Sequence, residues 1–434
     1  MERVQGTRVK EKLEYLNKTQ WLAAEQLQEI QNAKLAALLK HAYKNVPYYR
    51  RAFDELHLKP EDIKTPEDLA LLPVLGKQTI KNNLQDLVAV NIPKSRMIES
   101  HSSGSTGQPL KYYMSKDSYS TGWANTFRCW GWAGYRLGDP YVKISLNARS
   151  KAVKKLQDRI FNCLYIYAFD INEENIGSYM EKIRRSGSKI IRGYASTMYL
   201  LSKYLEDAQG PDLSLNGIMT TGETLHPHYR EAIEERFGCR VYDCYGGEST
   251  PMAYECGEHS GYHMCDESVI IEFLKGNEKA SPNEMASIVF TNLENYAMPY
   301  IRYKIGDIGV PTNARCRCGR GLSMLRSVEG RDTDIVVTPE RKFLVAQFFA
   351  VLFEYTEGVD QFQVVQDRLE ELNIKVVKNN RFTDADGQRV IDEVRRYAGD
   401  AMKINLEYVD YIPPTRSGKR RFVVSKVPVD SAWA

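Results

Sequence analysis

Leu27, Ile30, Leu35, Leu38, Leu39 and Ala42 recur at three- and four-residue steps, which places them on one stripe of a helix. The pattern predicts helical structure up to about residue 60, with Pro47 of LKHAYKNVPYYRRAF ending the helix. Further on, short β-rich runs alternate with helical ones. KIIRGYAS (189–196) reads as a strand and a turn, and TMYLLSKYLEDA as the helix after it. GIMTTGET (217–224) with PHYREAIEERFG repeats the unit, and RVYDCYGGE (240–248) begins another. Such alternation predicts an α/β fold with a doubly wound, mainly parallel sheet, whose ligand sites lie at the C-terminal ends of the strands. After EGRDTDIV (329–336) the texture changes. QFQVVQ and NIKVVK look like hairpin strands, RVIDEVRRYAGDAM like a helix and INLEYVDYI like a strand. The expected organisation is a large N-terminal domain, residues 1–333, and a small mobile α+β lid, residues 334–434.

Composition changes this picture little. The chain has 434 residues, 43% hydrophobic and 26% charged, with a net charge of +3. That suits a globular protein and supplies no field that would select a polyanion. The opening MERVQGTRVKEKLEYLNKTQ has no apolar signal-peptide core. The apolar stretch from Phe343 to Phe353 is interrupted by Gln347 and falls far short of the ~20 residues a membrane span needs. The expected location is the cytoplasm, without a membrane span and without nucleic acid, and a homodimer is allowed. Eight cysteines in such a chain argue against a disulfide framework.

The candidate chemistry lies in the turns. His101-Ser102-Ser103-Gly104-Ser105-Thr106-Gly107-Gln108-Pro109 concentrates hydroxyls and glycines. Their N–H and O–H groups can wrap phosphate oxygens without side-chain obstruction. The Gly-Lys-Ser/Thr ending of a Walker loop is missing. The segment resembles the phosphate-binding loop of the adenylate-forming superfamily, the acyl-CoA synthetases and their relatives. Five more stretches follow in that family's order. Thr221-Gly222-Glu223-Thr224 resembles the Gly-Gly-Glu turn that lies against adenine. Tyr245-Gly246-Gly247-Glu248 resembles the Tyr-Gly-x-x-Glu stretch, whose carboxylate helps to hold Mg²⁺ on the triphosphate. Arg302-Tyr303-Lys304-Ile305-Gly306-Asp307 resembles the Arg-Thr-Gly-Asp element, and one carboxylate at Asp307 can accept both ribose hydroxyls. Glu329-Gly330-Arg331-Asp332 matches the hinge, whose arginine contacts the nucleotide. Thr415-Arg416-Ser417-Gly418-Lys419 matches the lysine loop of the lid.

HAYKNVPYYRRAF, RCWGWAGYRLGD (128–139) and IIRGYAST narrow the resemblance to phenylacetate–CoA ligase-like proteins, including those of capsular-polysaccharide clusters. It runs from about residue 38 to the C-terminus. Two departures are visible. Glu248 lies three residues after Tyr245 rather than four, so counting back from Ala253-Tyr254-Glu255-Cys256 keeps Glu248 as the magnesium carboxylate and leaves Tyr245 unassigned. Ile305 stands where a hydroxyl residue is usual.

The cysteines form a second constellation. Cys256-Gly257-Glu258-His259 and then His263 precede Cys316-Arg317-Cys318-Gly319. Two thiols beside a glycine, facing another Cys/His pair, supply a tetrahedral set suited to structural Zn²⁺. Knuckle spacing favours His259, whereas similar zinc-carrying ligases favour His263, and the leaning is to His263. The rival reading is ordinary reduced thiols. Cys129, Cys163, Cys239 and Cys244 read as core or incidental residues, and His101 either lines an acyl pocket or is simply packed or solvated.

The resemblance implies an AMP-forming ligase. A carboxylic acid is activated with ATP to an acyl-adenylate, and the acyl group then passes to coenzyme A or, alternatively, to an amine or amino sugar. Ser103, Gly104, Ser105, Thr106 and Gly107 would hold the phosphates, and Gly222, Glu223, Thr224, Gly246 and Gly247 the adenine side. Asp307 and Arg331 would hold the ribose, Glu248 would hold Mg²⁺, and Lys419 would bridge the carboxylate and the α-phosphate.

Overall fold

The computed structural model describes residues 7–101, 110–145, 152–171, 174–205, 213–247, 250–331, 334–354, 356–413 and 421–428. Helices Val9–Thr19, Ala24–Asn45 and Pro47–Glu55 open the chain. Leu27, Leu35, Leu38, Leu39 and Ala42 are buried as the stripe requires. Ile30 sits at its margin, and Gln31 takes the buried place by donating to the Val269 carbonyl at 3.0 Å. Pro47 does more than end a helix. Val46 before it is extended, as a residue preceding proline prefers, and Pro47 is the first residue of the next helix.

Among the described residues the main sheet has twelve strands. Cys163–Tyr167, Tyr141–Ser145, Ile190–Gly193, Gly217–Thr221 and Val241–Gly247 pair in parallel, in that spatial order. Neighbouring residues on these strands feed different cores. Tyr141, Ile190, Met219 and Tyr242 join the cluster with the N-terminal helices. Val142, Ile191, Ile218 and Val241 join the cluster covered by helices Ile176–Ser186, Ala195–Tyr204 and Pro227–Phe237. Apolar cover on both faces makes this half doubly wound.

The unit expected to begin at RVYDCYGGE departs from the pattern. Among the described residues the next element is a strand and not a helix. Val241–Gly247 pairs antiparallel with Thr250–Glu255. Beyond this seam the sheet continues antiparallel through Tyr262–Met264, Met324–Arg331, Tyr303–Thr312, Ala286–Asn292, Val269–Lys275 and Glu278–Lys279. The connections here are too short for a crossover helix, so the chain can only reverse. A fully buried ion pair ties the antiparallel half to helix Lys116–Trp132 and to the first N-terminal helix. Arg128 Nη1 lies 2.7 Å from Glu267 Oε1, both side chains are 0% exposed, and Thr19 Oγ1 donates to the same oxygen at 2.7 Å.

Residues 336–423 build a core of their own, from Val336 and Phe349 to Val394 and Val423. Val359–Arg368 and Glu371–Lys378 form the expected hairpin. Helix Asp384–Ala398 starts on a capping box, in which Thr383 Oγ1 accepts from Asp386 N–H and the Asp386 carboxylate accepts from Thr383 N–H. Lys403–Tyr408 then pairs in parallel with Glu371–Lys378. Three elements go beyond the sequence reading. Phe343–Phe353 is divided between a short strand, Phe343–Val345, and helix Ala346–Glu354, and Val423–Ser425 adds a parallel strand on Val359–Arg368.

Candidate functional site

The turn after strand Gly217–Thr221 needs a left-handed residue, and Gly222 supplies it at φ +77°. Glu223 then reaches helix Ala195–Tyr204, where its Oε2 accepts from the Ser196 N–H at 3.0 Å, a carboxylate on a helix N-terminus. On the next strand a register shift between Tyr245 and Gly246 opens a bulge. A side chain at Gly246 would meet the Thr250 carbonyl at 2.9 Å, and one at Gly247 would meet Ile305 Cδ1 at 2.0 Å. Ile305 therefore fills the space a side chain at 247 would take, which accounts for an apolar residue at that place. Strands Tyr303–Thr312 and Met324–Arg331 put Asp307 opposite Arg331. Tyr245 donates its hydroxyl to Asp307 Oδ2 at 2.9 Å, and Arg331 Nε stands 3.7 Å from Asp307 Oδ1. A Cβ on Gly330 would lie 3.5 Å from Thr224 Oγ1, so the 222–224 turn comes up against the end of that strand.

Below these turns lies a buried polar layer. Thr220 and Tyr262 donate to the two oxygens of Asp243 at 2.6 and 2.7 Å. Arg230 donates to both oxygens of Glu255, at 2.8 and 2.6 Å, and Glu255 also accepts from the Asp243 N–H at 2.9 Å. Burial, reinforced by the charge of Glu255, pushes the Asp243 carboxyl up to about 6.

The second constellation hangs from the antiparallel strands. Cys256 directly follows Thr250–Glu255, His263 sits in Tyr262–Met264, and Cys316 and Cys318 occupy the turn after Tyr303–Thr312. Register pairs His263 with both Tyr254 and Met324. Cys256 Sγ lies 3.6 Å from Cys316 Sγ, Cys318 Sγ lies 3.3 Å from His263 Nε2, and all four donor atoms fall within 4.8 Å of one another. Ligands at Zn²⁺ bond lengths around a tetrahedron sit about 3.8 Å apart for two sulfurs and about 3.5 Å for sulfur and nitrogen. The set fits. Burial first, then the guanidinium groups of Arg320 and Arg128, bring His263 down to about 4, so it is a neutral imidazole able to ligate. Arg320 also lies over the Trp132 ring at 4.5 Å, and Trp132 meets His263 edge to face at 5.4 Å. His259 is turned elsewhere. Its backbone is left-handed at φ +46°, and its Nδ1 lies 3.3 Å from Arg230 Nη1 and 3.6 Å from Glu255 Oε2.

Comparison with known proteins places this geometry. Residues 336–426 match the CapK C-terminal domain family. The chain is 22% identical to Protein CapK of Staphylococcus aureus over 422 residues, covering 92% of this chain and 89% of CapK. It is 25% identical to the phenylacetate-coenzyme A ligase of Thermus thermophilus, covering 88% of each. Among solved structures, 2-hydroxyisobutyryl-CoA ligase in the postadenylation state aligns with a TM-score of 0.76 at 18% identity, covering 96% of this chain and 93% of that one. The chain is thus similar over most of its length to CapK and to phenylacetate-coenzyme A ligases, and its fold is that of the acyl-CoA ligases.

The structure brings Thr224, Gly247, Asp307 and Arg331 together at one end of the seam, with Gly222, Glu223 and Gly246 beside them in the chain. It gathers Cys256, His263, Cys316 and Cys318, and leaves out His259. Ser103, Gly104, Ser105, Thr106, Gly107, Glu248 and Lys419 lie outside the described residues. His101 ends strand Met97–His101 with an exposed ring, its Nε2 3.9 Å from Glu99. Tyr245 is the residue the motif reading left unassigned. The register shift between Tyr245 and Gly246 lies beside it, and its hydroxyl meets Asp307. Arg302, by contrast, is bound into the fold by Glu272 and the Leu72 carbonyl, away from any nucleotide role.

Proposed function

We propose that the protein activates a carboxylic acid with ATP and passes the acyl group to the thiol of coenzyme A. The observation that carries this reading is the contact of Asp307 with Tyr245 and Arg331 beside the 222–224 turn. This is a carboxylate–guanidinium site for a ribose, carried on antiparallel strands beside the C-terminal ends of the parallel strands Gly217–Thr221 and Val241–Gly247. The names of the ligase relatives, aligned over most of both chains, support the same chemistry.

In the first step a carboxylate oxygen of the acid attacks the α-phosphorus, and the bond from α-phosphorus to the bridging oxygen breaks. Pyrophosphate leaves with the electron pair. Positioning and charge neutralisation carry such a reaction. Asp307 and Arg331 would orient the ribose, the 222–224 turn the adenine, and Ser103 to Gly107 the terminal phosphates. Lys419 would set its ammonium between acid and α-phosphate. Glu248 would hold Mg²⁺, which offsets the charge of the phosphates. In the second step the thiol sulfur attacks the acyl carbon and loses its proton, and AMP leaves. Residues 334–434 would act as the lid, hinged at Asp332. Cys256, His263, Cys316 and Cys318 would hold a structural Zn²⁺, because four protein ligands leave no open position for a reacting water. Among the described residues no helix is long and apolar enough to cross a membrane, and a cytoplasmic enzyme is the reading that fits its co-substrates.

An amine acceptor, giving an amide, is the second reading. It is kept because the segment read as the lid matches a family named for CapK rather than for a ligase. One experiment tests both. ATP–pyrophosphate exchange is measured across a panel of acids, and coenzyme A or amines are then added. Folded protein that exchanges with no acid refutes acid activation; consumption of the adenylate by amines but not by coenzyme A selects the second reading.

A further inference from the structure

The structure assigns Tyr245 a positioning role in nucleotide selection: its hydroxyl holds the Asp307 carboxylate in the orientation that receives the two hydroxyls of a ribose. The inference rests on the reading above, in which Asp307 is the ribose acceptor, and goes beyond it by naming the residue that sets that acceptor.

An aspartate carboxylate rotates over a broad, nearly two-fold torsion unless something holds it. Here the two oxygens have different neighbours. Oδ2 accepts from the Tyr245 hydroxyl at 2.9 Å, and Oδ1 faces Arg331 Nε at 3.7 Å. The pairing of Asp307 with Arg331 across the strands fixes the backbone on which this rests. A carboxylate offers about four acceptor positions, so a single phenol orients it without consuming it. The tyrosine is itself held. The bulge at Tyr245/Gly246 re-aims its strand, the ring packs in the core beside Ile271 and Ile305, and Ile305 in turn closes on Gly247. Burial and the neighbouring carboxylate keep the phenol protonated, and therefore a donor.

Tyr245→Phe removes the hydroxyl and keeps the ring. Dissociation constants for ATP, 2′-deoxy-ATP and 3′-deoxy-ATP are measured by calorimetry on wild type, Tyr245→Phe and Asp307→Ala; no acid substrate is needed. In wild type each deoxy-nucleotide should bind less tightly than ATP. Tyr245→Phe should weaken ATP by about tenfold while weakening the deoxy-nucleotides less, so that the preference for ATP shrinks at least threefold. That ratio does not depend on the fraction of folded protein, and a merely structural tyrosine would not move it. Asp307→Ala should abolish the preference. If Asp307→Ala abolishes it and Tyr245→Phe leaves it intact, the role of Tyr245 is overturned and the nucleotide site stands. If Asp307→Ala leaves it intact, the ribose assignment is wrong and the inference falls with it.

Discussion

Replacing His263 by glutamine, with His259→Gln as its partner experiment, tests the metal centre at its most specific point. The four donors sit at zinc spacing, 3.6 Å between two sulfurs and 3.3 Å between sulfur and Nε2. Structural zinc in small domains is worth about 10–16 kcal/mol. If four ligands contribute comparably, losing one forfeits about 3 kcal/mol, or about 10²-fold in affinity. His263 is fully buried and paired with Met324 across the sheet, so glutamine keeps most of its volume and the effect isolates ligation. His259→Gln should retain the metal, since that ring faces Arg230 and Glu255. The assay is metal content of untagged protein by mass spectrometry, followed by the rate of zinc release to a chromogenic chelator. About one zinc per chain is expected in wild type and His259→Gln, and a sharply lower content or faster release in His263→Gln. Absence of zinc from wild type, or equal loss in both variants, would refute the assignment.

Three further outcomes follow from the same coordinates and motifs. Lys419→Ala should slow adenylate formation by several orders of magnitude, read by pyrophosphate exchange, and barely affect attack of the second substrate on a supplied acyl-adenylate; equal losses would refute a role for Lys419 confined to the first step. Glu267→Gln should lower unfolding free energy by about 3–5 kcal/mol, because Arg128 is left charged and fully buried, whereas the double apolar replacement of both residues should recover most of it in urea titrations. The Asp243 carboxyl titrates near 6 in the folded chain against 3.8 as its ordinary value. Its native pKa is raised, so the cost of ionising it grows as pH climbs from about 4 and levels off above about 6. Asp243→Asn should thus gain stability over wild type by about 1.4 kcal/mol more at pH 8 than at pH 5, and a gap that does not change with pH contradicts the assignment.

The parallel half was legible because its periods switch cleanly between strand and helix, as at Ile190–Gly193 and Ala195–Tyr204. The antiparallel half was not. Tyr262–Met264 and Glu278–Lys279 are too short to carry a period, and Thr250–Glu255 is buried at most positions, which erases the alternation. Metal-ligand candidates showed in the sequence because clustered Cys and His have few other uses in a reduced chain. The choice between two histidines did not, because it depends on register: His263 lies on a strand facing the cysteines, while His259 lies in a left-handed turn. Tyr245 escaped because its partner, Asp307, lies 62 residues further along the chain and only the pairing of strands brings the two together.

The turn between Cys318 and Met324 also carries a tie to the start of the chain. Gly321 N–H donates to the Gln20 carbonyl at 2.9 Å, with no room for a Cβ against Leu22, and Arg320 Nε donates to the Gln20 side chain at 3.0 Å across a sequence separation of 300 residues. During synthesis at roughly 5–20 residues per second, Gln20 leaves the ribosome about 15–60 s before its partners exist. Through that interval Leu16 and Leu27, buried in the finished protein, have nothing from this turn to cover them. A nascent chain therefore carries this part of its opening helices without the cover of that turn until the turn itself has been made.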